Sequence, residues 1–320
     1  MKQKILKVLE STDGYVSGEQ LSKMLGVSRT AVWKNIKVLR SEGYKIDSVT
    51  NRGYRLTEKP EMLDAEKISQ GLETSLIRKI EVMKTVDSTN EELKRRSRYG
   101  EPSGIVIAAE KQTGGKGRLG RAWNSDIGGI YFSLLLRPDL PPGEISAITL
   151  AAGYGVCLAV REYTGLDARI KWPNDIIVGN KKLCGILTEM SAQSDRIDCV
   201  LIGIGINVNN EEFPEPIRQK ATSLRLELGR KIDRNEFFRC VLRSLDKTSA
   251  EFLAGFSQEE TEHFSKLCAT VGRQVSTTNG GRTIAGTAVG ITSGGELEVR
   301  DEEGNIHLIN SGEVVVQGMY

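Results

Sequence analysis

Histidine is nearly absent from this chain of 320 residues: only His263 and His307 are present. That argues against histidine-based general acid–base catalysis and against a histidine-ligated metal centre. Cysteine is sparse as well. Cys157, Cys184, Cys199, Cys240 and Cys268 are odd in number, scattered, and form no C-x-x-C pair. They exclude a disulfide framework or a zinc site and fit reduced, structural thiols in a cytoplasmic protein. No apolar run reaches the ~20 residues of a membrane span. The opening MKQKILKVLEST also lacks the long apolar stretch and cleavage site of a secretory signal, so no membrane partner is expected. Low-complexity tracts and internal repeats are missing too.

What remains is an ordinary globular composition, 39% apolar and 27% charged. Its length exceeds what a single hydrophobic core usually serves, so two or three domains are expected. The net charge of +2 conceals an asymmetry. Residues 1–60 carry 12 Lys and Arg against 6 Asp and Glu, whereas the remainder carries 32 against 36. A small basic domain on a mildly acidic body points the first segment at a polyanion.

Within those first sixty residues, Ile5, Leu6, Val8 and Leu9 predict a helix. Ser17-Gly-Glu-Gln20 has capping-box form and opens a second helix carrying Leu21, Met24 and Leu25. Gly26-Val27 breaks it, and Ser28 caps a third helix in which Val32, Ile36 and Leu39 recur at i, i+4, i+7. Arg29, Thr30, Lys34, Lys37 and Arg40 lie opposite that apolar stripe; Trp33 could pack beneath the helix or contact a base, and packing is the expectation. Tyr44–Val49 and Tyr54–Leu56 flank Thr50-Asn-Arg-Gly53, a hairpin with an arginine at its tip. The pattern is a winged helix-turn-helix, with Ser28, Arg29, Thr30, Lys34, Lys37 and Arg52 as candidate DNA contacts. A helical protein-interaction module with a solvated charged face is the alternative. Past Lys59-Pro60, a short helix over Asp64–Leu72 leads into the next domain.

The most informative segment is Lys111–Trp123, KQTGGKGRLGRAW: four basic residues, four glycines and no acid in thirteen positions. Glycines let a backbone close on a ligand, and Lys116, Arg118 and Arg121 supply charge-assisted donors to an anion. Gly115, Gly117 and Gly120 also spell the dinucleotide fingerprint G-x-G-x-x-G. That fingerprint opens a helix, whereas here a turn and the strand-like run Tyr131–Leu136 follow.

Further strands are predicted over Ile105–Ala109, Ala168–Lys171, Ile176–Val178, Lys182–Met190 and Val200–Val208, and helices over Glu91–Ser97, Ser146–Tyr163 and Asp233–Phe252. Tight turns such as Gly179-Asn-Lys181 make neighbouring strands antiparallel and the domain α+β with a mixed sheet. Asp87-Ser-Thr-Asn90 precedes a helix; Thr89-x-x-Glu92 fits a capping box as well as it fits a ligand contact. Lys171-Trp-Pro-Asn-Asp175 presents an amide and a carboxylate at a stiff corner, and Lys182-Leu-Cys-Gly185 allows close backbone approach. Gly203-Ile-Gly-Ile-Asn207 leaves one strand face bare, either for a flat apolar ligand or for tight packing on a helix. Beyond residue 270, five short strands (Gln274–Thr278, Ala285–Ile291, Glu296–Arg300, Ile306–Asn310 and Val314–Gln317) suggest a small SH3-like barrel. Asn279-Gly-Gly281, Ser293-Gly-Gly295 and Glu303-Gly-Asn305 supply its turns.

KQTGGKGRLGRAW, KWPND, KLCGILTE and GIGINVN, in this order and spacing, resemble the biotin–protein ligases. The preceding helix-turn-helix narrows the resemblance to the bifunctional bacterial members that also repress a biotin operon. It covers essentially the whole chain, with one departure: the family loop commonly reads G-R-G-R, and Lys116 stands at the first basic place. Lysine keeps the charge but loses the bidentate fork, so a backbone role transfers better there.

The resemblance implies three domains: a winged helix-turn-helix over 1–62, a ligase domain like class II aminoacyl-tRNA synthetases over 63–268, and an SH3-like barrel over 269–320. It implies two-step chemistry in which biotin and MgATP give biotinyl-5′-adenylate and pyrophosphate. A lysine of the biotin carboxyl carrier protein of acetyl-CoA carboxylase, or of another biotin-acceptor domain, then attacks the anhydride. No permanently bound cofactor is expected. Setting a carboxylate against a triphosphate demands cations more than proton donors, which suits a site rich in Arg and Lys.

By the same resemblance, Ser88, Thr89, Asn90 and Gln112 hold the ureido ring, and Gly115, Lys116, Gly117 and Arg118 close over it. Trp123, Gly185, Gly203 and Gly205 provide surface for the ring and tail. Lys182 sits on the carboxylate and phosphate; Arg118, Arg121, Asn174, Lys182, Asn207 and Phe213 hold the nucleotide, Phe213 from a loop over 209–222 that covers the adenine. Lys182, Arg118, Arg121 and Asp175 are the catalytic candidates, and Asp175 the candidate Mg²⁺ contact. The adenylate-bound homodimer would bind operator DNA and repress biotin synthesis and transport genes. A ligand sensor with a dead catalytic site is disfavoured by the intact KWPND, Lys182 and Arg118, and a lipoate ligase by the double-glycine loop and the winged helix.

Overall fold

Side-chain caps decide where the first helices begin. In a computed structural model, described over residues 1–141, 145–193, 196–255, 257–279, 282–310 and 312–319, α1 (Lys2–Glu10) buries Ile5, Leu6 and Leu9. At α2 (Gly18–Leu25) the Ser17 hydroxyl accepts from the Gln20 amide at 3.1 Å and the Gln20 side chain accepts from the Ser17 amide at 2.9 Å. Gly26, at φ +64°, ends the helix in the left-handed region that favours glycine. Ser28 then caps α3 (Arg29–Ser41), whose Val32, Ile36 and Leu39 are fully buried. Strands β1 (Lys45–Val49) and β2 (Gly53–Glu58) pair antiparallel as the wing.

Two side chains of this unit depart from expectation. Trp33 does not pack beneath α3 but stands 51% exposed, with the Lys37 ammonium 5.0 Å from its ring centroid. The expected stripe had the right face for Val32, and Trp33 lies one residue round the helix from it, outside the apolar arc. Arg40 turns back to the wing, donating to Ile46 O at 3.0 Å and Ser48 Oγ at 2.6 Å. At the wing tip the Arg52 guanidinium lies 4.7 Å from the Tyr15 ring.

Residues 1–62 and 63–320 form two compact units. The second begins with α4 (Ala65–Ser69), β3 (Lys79–Met83), α5 (Thr89–Ser97), β4 (Ile105–Ala109), β5 (Ile130–Leu136) and α6 (Ile145–Thr164). After these come β6 (Ala168–Lys171), β7 (Asp175–Val178), β8 (Lys181–Gln193), β9 (Arg196–Ile206), α7 (Leu224–Leu228) and α8 (Arg234–Ala254). The seven strands run in the order β3-β4-β5-β9-β8-β7-β6, parallel only between β3 and β4. The mixed sheet expected from the tight turns is therefore present. Alternation along β4 divides its side chains: Val106 and Ala108 join the main core with α6 and α8, while Ile105 and Ile107 meet Leu93 of α5 on the opposite face.

Behind the sheet, Glu110 and Arg234 form a buried ion pair at 2.9 Å with both side chains at most 2% exposed. Glu110 also accepts from the Leu63 amide, so the first residue of this unit is fastened to the end of β4.

The chain continues through α9 (Gln258–Leu267), capped by the Ser257–Glu260 box, to β10 (Gln274–Asn279), β11 (Arg282–Ile291), β12 (Leu297–Arg300), β13 (Ile306–Ile309) and β14 (Val314–Val316). These five make an antiparallel sheet in the order β13-β12-β11-β10-β14. Val275, Ala288, Leu297, Val299 and Val316 belong to the same apolar core as the large sheet. Trp172 adds to the join, donating from its indole to Gly295 O and from its amide to Thr270 Oγ1, each at 3.1 Å. The sheet is thus continuous with residues 63–268 and does not form a third compact unit. Gly280 and Gly281 of the expected Asn279-Gly-Gly281 turn lie outside the described residues. Among the described residues no helix is long and apolar enough to cross a membrane.

Candidate functional site

Register brings the glycines of two strands together. β8 and β9 pair so that Gly185 faces Gly205 and Leu187 faces Gly203. Over that patch lies a cavity of about 510 Å³, within the range of small-molecule sites. With one exception, every residue expected to hold the small-molecule ligands lines it: Ser88, Thr89, Asn90, Gln112, Lys116, Gly117, Arg118, Arg121, Trp123, Asn174, Asp175, Lys182, Gly185, Gly203, Gly205, Asn207 and Phe213. Gly115 is the exception. A Cβ there would lie 2.6 Å from Trp123 O and 2.7 Å from Ser125 Oγ, so this glycine lets the loop fold upon itself behind the cavity wall.

The polar end is built on α5. Ser88 stands at the helix start but makes no side-chain cap, and Thr89 does not cap either. The Thr89 hydroxyl and amide both donate to Gln112 Oε1, at 3.2 and 2.8 Å, while Glu92 pairs with Arg95 and Arg96. The capping-box alternative is thereby overturned: packing against β4 and β5 draws these polar groups towards the cavity. Ser133, fully buried on β5, lies 2.7 Å from Thr89 Oγ1 and 2.5 Å from Asn90 Oδ1. Asn90 in turn donates to Glu189 Oε2 at 2.8 Å. Sequence reasoning missed Ser133, a lone polar residue in an apolar strand, and Glu189, since neither carries a sign of its partner.

The two readings of the glycine–isoleucine strand divide between its glycines. A Cβ on Gly203 would lie 2.4 Å from Asn90 Oδ1, so this one serves close approach of α5. At Gly205 the neighbour is the Trp123 indole, 2.4 Å from a built Cβ, and at Gly185 it is the same ring at 2.9 Å. The Trp123 Nε1–H is buried there without a hydrogen-bond partner among the described residues, a cost that a polar ligand atom would relieve.

Cations gather at the other end. Lys182 Nζ lies 2.7 Å from Asp175 Oδ1 and 5.3 Å from the Trp123 ring centroid. The Lys182 backbone is clamped by the loop that carries Phe213: its amide donates to Lys220 O at 2.7 Å and its carbonyl accepts from Thr222 N at 2.9 Å. From the glycine–arginine loop, Arg118 donates to Asn174 Oδ1 at 3.1 Å and to Gly312 O at 3.0 Å, and Arg121 pairs with Glu313 at 2.7 Å. Between these arginines the loop makes a single tight turn over Arg118–Gly120, with no helix after it, so the dinucleotide reading has no support. Lys116 points outward to Glu91 at 2.6 Å.

Burial lowers the pKa of Arg118 from its ordinary value, against the opposing pull of Asp175 and Glu313. It lowers that of Lys171 as well, with Asp175 the chief opponent. Cations stripped of water in this way favour an anionic ligand, which restores the lost solvation. Hydrogen bonding to Glu91 raises the pKa of exposed Lys116, and bonding to Glu313 raises that of Arg121. Lys171, Lys220 and Glu313 line the cavity and were not assigned as site residues from sequence. Lys171 was visible within KWPND, but Glu313 lies just before β14, far downstream of the loop. Among the described residues no group of three or more His, Cys, Asp or Glu side chains is placed to hold a metal ion.

Three family models match the chain: an HTH domain over residues 2–55, the Biotin/lipoate A/B protein ligase family over 82–207, and the Biotin protein ligase C terminal domain over 270–316. The bifunctional ligase/repressor BirA of Bacillus subtilis (strain 168) is 38% identical over 302 residues, covering 91% of this chain and 90% of that protein. BirA of Escherichia coli (strain K12) is 31% identical over 300 residues, covering 93% and 92%. Among solved structures, the biotin protein ligase from Aquifex aeolicus in complex with biotin and ATP matches with a TM-score of 0.66 and 34% identity, over 75% of this chain and 99% of that one.

Proposed function

The chain belongs to the family of bifunctional biotin ligase/repressors, and on that premise we propose how its residues divide the work. The protein activates biotin with ATP and transfers the biotinyl group to a protein acceptor; its helix-turn-helix unit is the repressor's DNA-binding part. The finer fold assignment is a central sheet of class II aminoacyl-tRNA-synthetase type and an SH3-like C-terminal barrel, giving functional domains 1–62, 63–268 and 269–320.

The observation that carries the reading is the order of groups along β8 and β9. Asn90 lies over Gly203, Trp123 over Gly205 and Gly185, and Lys182 beyond them. A ligand with a hydrogen-bonding head, an apolar middle and a terminal carboxylate matches that order. In this reading Ser88, Thr89 and Gln112 bond the ureido head, with Asn90 held beneath by Ser133. Trp123 packs on the rings and tail, and Lys182 receives the carboxylate. Lys116, Gly117 and Arg118 close the loop over the ligand, and Gly115 gives that loop its shape. Arg118, Arg121, Asn174, Asn207 and Phe213 take the nucleotide.

A biotin carboxylate oxygen attacks the α-phosphorus of ATP, the bond to the bridging oxygen breaks, and pyrophosphate leaves with the electron pair. Lys182, Arg118 and Arg121 offset the meeting of two anions. A neutral acceptor lysine then attacks the acyl carbon; AMP leaves, and the amine loses a proton to solvent. Mg²⁺ fits these residues only as an ion carried by the triphosphate, with Asp175 beside Lys182 the carboxylate that would face it and Glu313 engaged by Arg121; it would neutralise phosphate charge. The operator-binding species is a homodimer formed when the adenylate orders the loop.

Incubating the full chain with biotin, MgATP and a biotin-acceptor domain, followed by mass spectrometry, tests the assignment. One added biotinyl group on one acceptor lysine is expected. Preferential transfer of lipoate in direct competition would refute it. Operator affinity and sedimentation mass that ignore the adenylate would refute the coupling alone.

A further inference from the structure

The one aromatic side chain of α3 is bare. Trp33 is 51% exposed, where an indole is usually largely covered. It follows Arg29 by four residues and Thr30 by three, and precedes Lys37 by four, so all four share one exposed stripe. Lys37 backs the ring at 5.0 Å from its centroid. Helix α3, RTAVWKNIKVLRS, carries no acidic residue at all. Whatever covers the indole must therefore tolerate a dense cationic surround, and must offer apolar surface within it. Trp33 also sits in the second turn of the helix that a helix-turn-helix lays in the major groove, where side chains reach base edges. Duplex DNA meets every condition: phosphates answer the cations, and the thymine methyl is the groove's apolar group.

We propose that Trp33 is a specificity-determining DNA contact, packing its ring against the 5-methyl group of a thymine while Arg29 and Lys34 engage the neighbouring phosphates. This rests on the DNA-binding reading of residues 1–62. A phosphate contact strengthens all sequences alike, whereas a methyl contact strengthens one.

The test uses the full chain with biotin and MgATP. Two probes are compared: a duplex selected by the wild-type protein from a randomised pool, and an unrelated duplex of equal length. Thymines of the selected site are replaced one at a time by uracil, which deletes only the methyl group. At one thymine the wild type should lose about fourfold in affinity, the worth of one buried methyl-sized group, and Trp33→Ala should lose nothing further there. Trp33→Ala should lower the ratio of selected to unrelated affinity by about the same fourfold, with Trp33→Phe retaining part of it. Equal losses on both duplexes, or wild-type indifference to uracil at every thymine, overturns the proposal. So does a variant that alters sedimentation mass and leaves DNA affinity unchanged, which would assign the indole to a second copy of the chain. The uracil series needs no altered protein, so a misfolded variant does not blunt the test. Failure of the wild type to enrich any duplex would instead sink the DNA-binding reading itself.

Discussion

Replacing Gly203 with alanine tests the polar end of the cavity without altering a charge. The new Cβ would lie 2.4 Å from Asn90 Oδ1, 2.9 Å from its Cγ and 3.0 Å from its Nδ2. Non-bonded heavy atoms settle at about 3.5 Å or more, so the carboxamide has to retreat by about 1 Å. It has little room to do so, being 3% exposed and bonded to Ser133 at 2.5 Å and to Glu189 at 2.8 Å. Overpacking of this kind costs about 1–3 kcal/mol, and one lost hydrogen bond adds about 1 kcal/mol. Unfolding free energy in urea should therefore fall by about 2–4 kcal/mol. Ser133 also bonds Thr89 at 2.7 Å, so the disturbance reaches the hydroxyl expected to meet the ligand. Pyrophosphate release measured against biotin concentration should show KM for biotin raised about tenfold, a change of about 1.4 kcal/mol, with KM for ATP little moved. In the double variant Gly203→Ala/Asn90→Ala the clashing atoms are gone, and part of the stability returns without the biotin affinity. A single variant within about 0.5 kcal/mol of wild type with normal KM would show that Asn90 is free to move, and the account of this end would fail.

Four further outcomes are expected. Lys182→Ala removes the cation beside Asp175 and should slow adenylate formation about 100-fold or more in single-turnover assays; a loss under threefold counts against its role. Arg118→Gly frees the loop from Asn174 and Gly312 and should let adenylate escape, so mass spectrometry finds biotin on bystander lysines; labelling of the acceptor alone contradicts this. Glu110→Gln leaves Arg234 buried without its counter-charge and should cost about 3–5 kcal/mol in urea unfolding; a cost under 1 kcal/mol argues that water reaches the pair. All five cysteines are buried, and burial pushes the Cys157 thiol up to about 12. An aromatic disulfide reagent should therefore titrate no thiol in the native protein and all five after denaturation.

Local signals were legible where the chain's own chemistry sets the outcome. Ser17, Ser28 and Asp233 cap the helices they precede, and Gly179, at φ +57°, turns β7 into β8. Elements settled by distant partners were not. β3, with the sequence KIEVM, has no continuous apolar run, and its place comes from parallel pairing with β4. α9 was missed because its apolar side is short: Phe264 and Leu267 are its only buried residues. The cavity was legible as a list of residues but not as an order along two strands, since only the register of Gly185 with Gly205 supplies that. Trp33 was misplaced because hydrophobicity was taken as a sign of burial, and the one-residue step from Val32 carries it to the solvent side.

The carboxylate of Glu110 serves two clients. Its oxygens take the Arg234 guanidinium and the Leu63 amide, and two positions later the same strand end supplies Gln112 to the cavity. One carboxylate thus fixes the first residue of the second unit and the start of its last long helix to the strand end beside the ligand cavity.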